Sequence, residues 1–155
     1  MLQPPNADGL IAELAGRGIT LPSGPVSVTG FGDSAQLSRE LIALIGAGRK
    51  CASSALLWSY EYDAEALPRA GNLAIVVDHG NRPACVTRLT GVTVMPFDQV
   101  GAEHAAMEGE GDLSLAWWRT EHQRFFCAEC ARIGRRLTQN MPVVCTTFEL
   151  VFNLR

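Results

Sequence analysis

The sequence predicts an α+β fold in which mainly antiparallel strands are flanked by helices. Stretches with strand alternation and stretches with helical periodicity both occur, but they do not follow one another as regular βαβ units. Fifteen glycines and eight prolines supply more turn positions than a helical bundle uses. With 155 residues, 47% of them hydrophobic, the chain can bury one core, and single domains commonly run to roughly 100–200 residues.

Taken in order, residues 1–30 read as a helical extension. Asp8 can cap a short helix carrying Leu10, Ile11 and Leu14, which Gly16 and Gly18 end. A loop rich in Pro and Gly is expected over 21–32. The next helix is better marked. Asp33 or Ser34 caps it, Leu37, Leu41, Leu44 and Ile45 form an apolar stripe, and Gly46 and Gly48 stop it. Residues 49–58 carry small side chains and then an apolar end, as a strand or an irregular loop would. Residues 67–71 form a turn, 73–78 a short apolar strand, and 79–83 a second turn. Alternation over 84–95 suits one or two antiparallel strands, with Gly91 as a bulge. A short helix is expected near 101–107. Asp112 then caps a longer helix in which Leu113, Trp117, Glu121 and Phe125 recur at every fourth residue. A last strand over 143–152 places Val144, Thr146, Phe148, Leu150 and Phe152 on one face.

The formal charge is −3, from 13 basic and 16 acidic residues. A strong, sequence-blind nucleic-acid binder carries a basic excess, so that class is disfavoured, although a local basic cleft is not. No apolar run approaches the ~18 residues that span a bilayer, and residues 1–6 lack the basic and apolar regions of a signal peptide. A cytoplasmic protein with no membrane partner is therefore expected. Five cysteines, an odd number, read as reduced thiols. Cys127-Ala128-Glu129-Cys130 is a CxxC on a predicted helix, without the paired ligands of a zinc site or the strand-to-helix setting of a redox motif.

Four separated stretches together resemble the ASCH family: Phe31-Gly32-Asp33-Ser34, then Gly48-Arg49-Lys50-Cys51-Ala52-Ser53-Ser54 with Leu56-Leu57-Trp58, then residues 103–112, and finally Met141-Pro142-Val143-Val144-Cys145. The resemblance covers Phe31 to Phe152, so residues 31–155 are taken as the domain. It implies a PUA-like β-barrel with helices across one side, a cleft between them, and an association with RNA. Some family members are ribonucleases, and another branch is an amidohydrolase acting on N4-acylated cytidine. That branch uses a Lys, a Thr three residues later and a Glu after the His of the acidic segment. These positions fall on Lys50, Ser53 and Glu108, where serine keeps the hydroxyl. The chain's length and its Trp117-Trp118-Arg119 helix look closer to the ribonuclease-type relatives.

The residues themselves admit that chemistry. A Lys and a hydroxyl three apart can reach one pocket, where a desolvated Lys would act as base to the hydroxyl. Glu108 follows His104 by four residues, so on a helix they share a face, with Glu108 as proton-transfer partner and His104 orienting it. The plainer alternatives are a solvated Lys at a helix C-terminus and a solvated acidic face. Glu108, Glu110 and Asp112, with Glu103, would also serve as oxygen ligands for Mg²⁺ or Mn²⁺. Trp58, Tyr60 and Trp118 are candidate platforms for a base, and Arg119 and Arg124, with Lys50, for phosphate. Trp117 and Trp118 lie about 100° apart on a helix, so one belongs to the core. The expected function is a ribonuclease-like hydrolase, or a binder, of single-stranded RNA. The alternatives are an amidohydrolase of a modified cytidine nucleoside and a non-catalytic RNA-binding module.

Overall fold

The structure, a computed structural model, describes residues 5–155. The expected α+β class holds. In chain order the elements are α1 (Ala7–Gly16), β1 (Val26–Gly30), α2 (Ala35–Gly46), β2 (Ala52–Leu56), α3 (Leu57–Tyr62), β3 (Leu73–Val77), β4 (Pro83–Pro96), α4 (Ala102–Glu108), α5 (Leu115–Ile133) and β5 (Pro142–Asn153). A short 3₁₀ turn, Phe97–Gln99, separates β4 from α4. Residues 1–4, which bear on the export expectation, lie outside the described part.

One five-stranded sheet runs in the order β1-β3-β4-β5-β2. Only β1 and β3 are parallel; the other three pairs are antiparallel. The frame is the long β4–β5 pair, in register from Cys85 with Asn153 to Pro96 with Pro142. Its register shifts twice, between Val86 and Thr87 and between Leu89 and Gly91. Each extra residue bends a strand and increases its twist, so the sheet curls. It forms a half-barrel rather than a closed barrel, with β1 and β2 as its edges.

Helices cover this sheet in three places. Leu10 and Leu14 of α1 pack on Ile75, Val77 and Val86. Ile42 and Ile45 of α2 pack on Val76, Ala84, Cys85 and Phe148. Trp118, Phe126 and Cys130 of α5 pack on Leu56, Phe97, Met141 and Val143. No helix among the described residues is long and apolar enough to cross a membrane.

Several local expectations change. The loop expected over 21–32 contains β1, whose pairing with β3 the turn residues around it conceal. Asn6, not Asp8, caps α1, and Ser34 rather than Asp33 caps α2 through the Leu37 amide. A helical turn, α3, follows β2 directly where a strand or loop was expected. Ser114 caps α5, while Asp112 only closes a turn onto the Ser114 amide. The row Leu113, Trp117, Glu121, Phe125 is the outward one, because Leu113 and Phe125 are exposed. The buried row starts one residue later, at Trp118, Phe126 and Cys130, and His122 interrupts its apolar pattern. In β5 the shift opposite Val86 breaks the strict alternation, leaving Leu150 exposed beside partly buried Val151 and Phe152.

Residues 7–30 therefore pack on the same sheet as the rest of the chain. Leu14 is 0% exposed, and truncating a buried leucine costs about 2–5 kcal/mol. Leu14→Ala is expected to lower the urea midpoint of one cooperative transition. An early transition that leaves the main one unmoved would show instead that α1 is an independent appendage.

Candidate active site

The site forms where the end of α2, the start of β2 and the end of α4 converge. Gly48 adopts φ +75° and turns the chain out of α2, and the amides of Arg49 and Lys50 both bond back to the Leu44 carbonyl. Cys51 then donates its amide to Met107 O at 2.8 Å, stitching this turn to the last turn of α4. Gly109 ends α4 with φ +74°, and a Cβ there would collide with the Arg49 carbonyl. Only glycine permits that approach. The result is Lys50 inserted at the C-terminal end of α4, where its charge complements the exposed carbonyls.

Lys50 is buried and its Nζ has three acceptors: Glu110 Oε2 at 2.9 Å, Glu108 O at 3.3 Å and Glu108 Oε1 at 3.5 Å. Three acceptors match the three N–H groups of an ammonium. In this geometry Lys50 is a donor of charge and hydrogen bonds, not the base that its spacing from Ser53 suggested.

Glu108 is 2% exposed and is the hub. Its Oε2 accepts from Ser54 Oγ at 2.7 Å and from the Trp118 indole N–H, with His104 Nε2 at 3.2 Å. Its Oε1 faces His122 Nε2 at 3.3 Å as well as Lys50. Burial by itself raises a carboxyl pKa, but the hydrogen bonds from His104 and His122 and the charges of His122 and Lys50 outweigh it. Glu108 is held far below the ordinary carboxylate range. The two histidines are oriented differently. Ser54 gives its one proton to Glu108, so His104 Nε2, 2.7 Å from Ser54 Oγ, must donate to that oxygen. Burial disfavours charge on His104, but hydrogen bonds to Cys145 and Glu108 overcome it and raise the pKa to about 9. His122 Nδ1 lies 2.9 Å from the Trp118 carbonyl, which can only accept, and its ring stacks on the Trp118 indole at 4.2 Å between centroids.

Above this network opens a cleft of about 610 Å³ of empty space, much of it continuous with solvent. Phe31, Leu37, Leu41 and Phe125 supply apolar wall, and Lys50, Ser53, Glu108 and Glu110 the polar floor. Lys50, Ser53 and Glu108 thus line one cleft. Successive residues of an extended strand point to opposite faces, and it is Ser54, not Ser53, that bonds Glu108 and His104.

The other expected residues are dispersed. Trp118 is 1% exposed and supports Glu108 from within the core, so it offers no platform to a base. Trp58 packs against that core with the Arg135 guanidinium 4.6 Å above its ring, outside the cleft lining. Tyr60 lines a different hollow, with β1 and residues 65–68. Arg119 spends its guanidinium on the carbonyls of Phe97, Asp98 and Val100. Arg124 does line the cleft, paired with Glu121. The metal reading does not fit. Lys50 already fills the space between Glu108 and Glu110, and Asp112 turns away to Ser114. Among the described residues no three His, Cys, Asp or Glu side chains are placed to hold an ion. His122 and Ser54 were not among the expected site residues: in sequence His122 offered only an unpaired candidate ligand near the CxxC, and Ser54 was one of several small residues in its segment.

The family model described as ASCH domain matches residues 27–152. The crystal structure of the ASCH domain from Lactobacillus crispatus JV V101 superposes with a TM-score of 0.82 at 30% identity, covering 92% of each chain. That of a protein from Enterococcus faecalis V583 gives 0.75 at 33% identity, covering 90% of this chain and 83% of that one. The curated proteins contain no match.

The network sets a pH dependence. His104 has its pKa raised from 6.5 to about 9, so its contribution to stability is full below about 6.5 and is lost as pH rises through 9. Glu108 has its pKa depressed, so its contribution is present above about 4.5 and fades only in strong acid. The melting temperature is expected to fall between pH 6.5 and 9, and His104→Gln to flatten that fall. An unchanged slope in the variant would remove His104 as its source. Glu108→Ala, which strands Lys50 without its inner partner, is expected to cost about 3–5 kcal/mol.

Proposed function

The chain belongs to the ASCH domain family, whose PUA-like fold is often linked to RNA binding, and from that premise we propose an RNA-associated hydrolase that takes a single nucleobase into the cleft above Glu108. One observation carries this reading: a carboxylate removed from water and held by Ser54, His104, Trp118, His122 and Lys50 at the floor of an open cleft. Apolar side chains would fill such a position at lower desolvation cost, and strongly perturbed titrating groups facing a cleft concentrate at functional sites.

Hydrolysis needs an activated oxygen, a route for its proton and a positive group where negative charge develops. Lys50 supplies the last. Its outer partner Glu110 is more exposed than Glu108, so a ligand oxygen can replace Glu110 while Glu108 keeps the ammonium in place. Ser53, on the same floor, is assigned the attacking hydroxyl or the anchor of an attacking water. Glu108 stays ionised, holding Lys50, Ser54 and His104 in place, and Glu110, released from Lys50 as the ligand oxygen enters, takes up the proton.

A second reading, the amidohydrolase acting on an N4-acylated cytidine nucleoside, is favoured by the cleft's charge. Asp33, Glu108, Glu110 and Glu121 line it with Lys50 and Arg124, so the cleft offers no basic excess to attract a phosphate backbone.

Purified protein is to be incubated with single-stranded RNA, and separately with N4-acetylcytidine, each with Mn²⁺ or with EDTA. Turnover of one substrate is expected, and it should survive EDTA because Lys50 occupies the place of a cation. Lys50→Ala should lower the rate on the order of 100-fold. RNA affinity without loss of either substrate would leave a binding module only. Activity that persists in Ser53→Ala but disappears in Ser54→Ala would move the hydroxyl role to Ser54.

A further inference from the structure

Helix α5 places an aromatic ring where its packing has no use for one. Phe125 is 47% exposed and stands outside every core cluster, while its neighbour Phe126 is 0% exposed and belongs to the main one. Phe126, with its centroid 5.7 Å away and its plane tilted by 55°, touches the Phe125 ring at an angle. Phe125 follows His122 by three residues and Glu121 by four, so all three share one face of the helix, and all three line the cleft. The ring therefore stands beside the polar floor, since His122 Nε2 points to Glu108. Phe31 lines the same cleft from the segment before α2, backed by Phe148 at 6.3 Å and with Lys50 Nζ 5.7 Å from its centroid.

We propose that Phe125 is the stacking wall for the base, with Phe31 as a second, fixed wall, so that recognition in this cleft is of a planar ring and not of a phosphate. This deepens the function proposed above and rests on it. Three features favour a flat aromatic ligand over an aliphatic one. An exposed phenyl face pairs well with the π-face of any base. The cleft-lining Glu121 and Asp33 carboxylates can accept hydrogen bonds from ring-edge amino groups. Among the described residues the one cationic side chain on the walls, Arg124, lies 3.0 Å from Glu121 with Asp33 on the same lining, so the walls carry no excess of positive charge to recruit phosphate.

The test measures binding of N4-acetylcytidine and of a short single-stranded RNA by titration calorimetry, with ribose 5-phosphate as a baseless probe. Wild type should bind a base-bearing probe and not ribose 5-phosphate. Phe125→Ala should weaken that binding about ten-fold or more, Phe125→Tyr should retain it, and Phe125→Leu should lose most of it. The melting temperature of all three should match wild type, because the side chain is outside the core. Wild-type affinity in Phe125→Ala, or in Phe125→Leu, overturns the stacking role while leaving the proposed function intact. If wild type binds neither base-bearing probe, the function itself fails and this role with it.

Discussion

The carboxylate of Glu108 is out of water, and much of the surrounding structure answers the need to replace what water supplied. A buried ionised group is tolerated only when donors and opposite charge surround it. Here donors come from four elements: Lys50 from the turn before β2, Ser54 from β2, His104 from α4 itself, and Trp118 and His122 from α5. No single element could form this group alone. The carboxylate therefore ties the edge of the sheet to α4 and α5. The glycines at 48 and 109 matter for the same reason: each lets backbone take a left-handed turn that brings Lys50 to the end of α4.

The curl of the sheet positions those elements. The β4–β5 ribbon bends at its bulges, and its far end, from Met95 and Val143 to Gly91 and Thr147, carries β2 on β5. With β2 pinned there, Ala52 and Leu56 turn into the core, and Ser54, of the same parity, turns toward α4 and Glu108. Ser53 has the opposite parity. A one-residue slip of β2 on β5 would exchange the two serines, so the register of an edge strand decides which hydroxyl meets the buried carboxylate.

That dependence explains how far the sequence could be read. The α+β class, the short strand at 73–77, the long strand around Gly91 and the helices at 35–46 and 102–108 follow from local pattern, because periodicity and turn residues are local signals. Lys50 and Glu108 were visible as a charged pair in family-like stretches. Strand β1 was not, since a five-residue parallel strand among Pro and Gly has no pattern of its own. The face of α5 was misjudged by one residue because its buried row contains His122, a polar residue that is inside only because Glu108 waits for it. Phe125 was placed only in a four-residue repeat for the converse reason: an exposed phenylalanine that lines a cleft looks the same in sequence as one in a core. Tertiary contacts decide such residues.

The charge balance of the floor bears on what can enter it. Glu108 and Glu110 share Lys50, and the hydrogen bonds that raise His104 make it a second cation through neutral pH. Lys50 and His104 offset Glu108 and Glu110, so the floor carries no large excess of either sign and its attraction for an ionic ligand is small before any contact forms. On the walls, Arg124 pairs with Glu121 and Asp33 adds a negative charge. Long-range steering of an anion, which needs a net field of opposite sign, is therefore weak here. On the proposed function, selection would fall to short-range forces: the area of ring that fits between apolar walls, and whether an incoming oxygen can displace Glu110 from Lys50. For a strand of RNA, this places the base inside and the phosphates at the rim. A nucleoside satisfies the same constraint with nothing left outside.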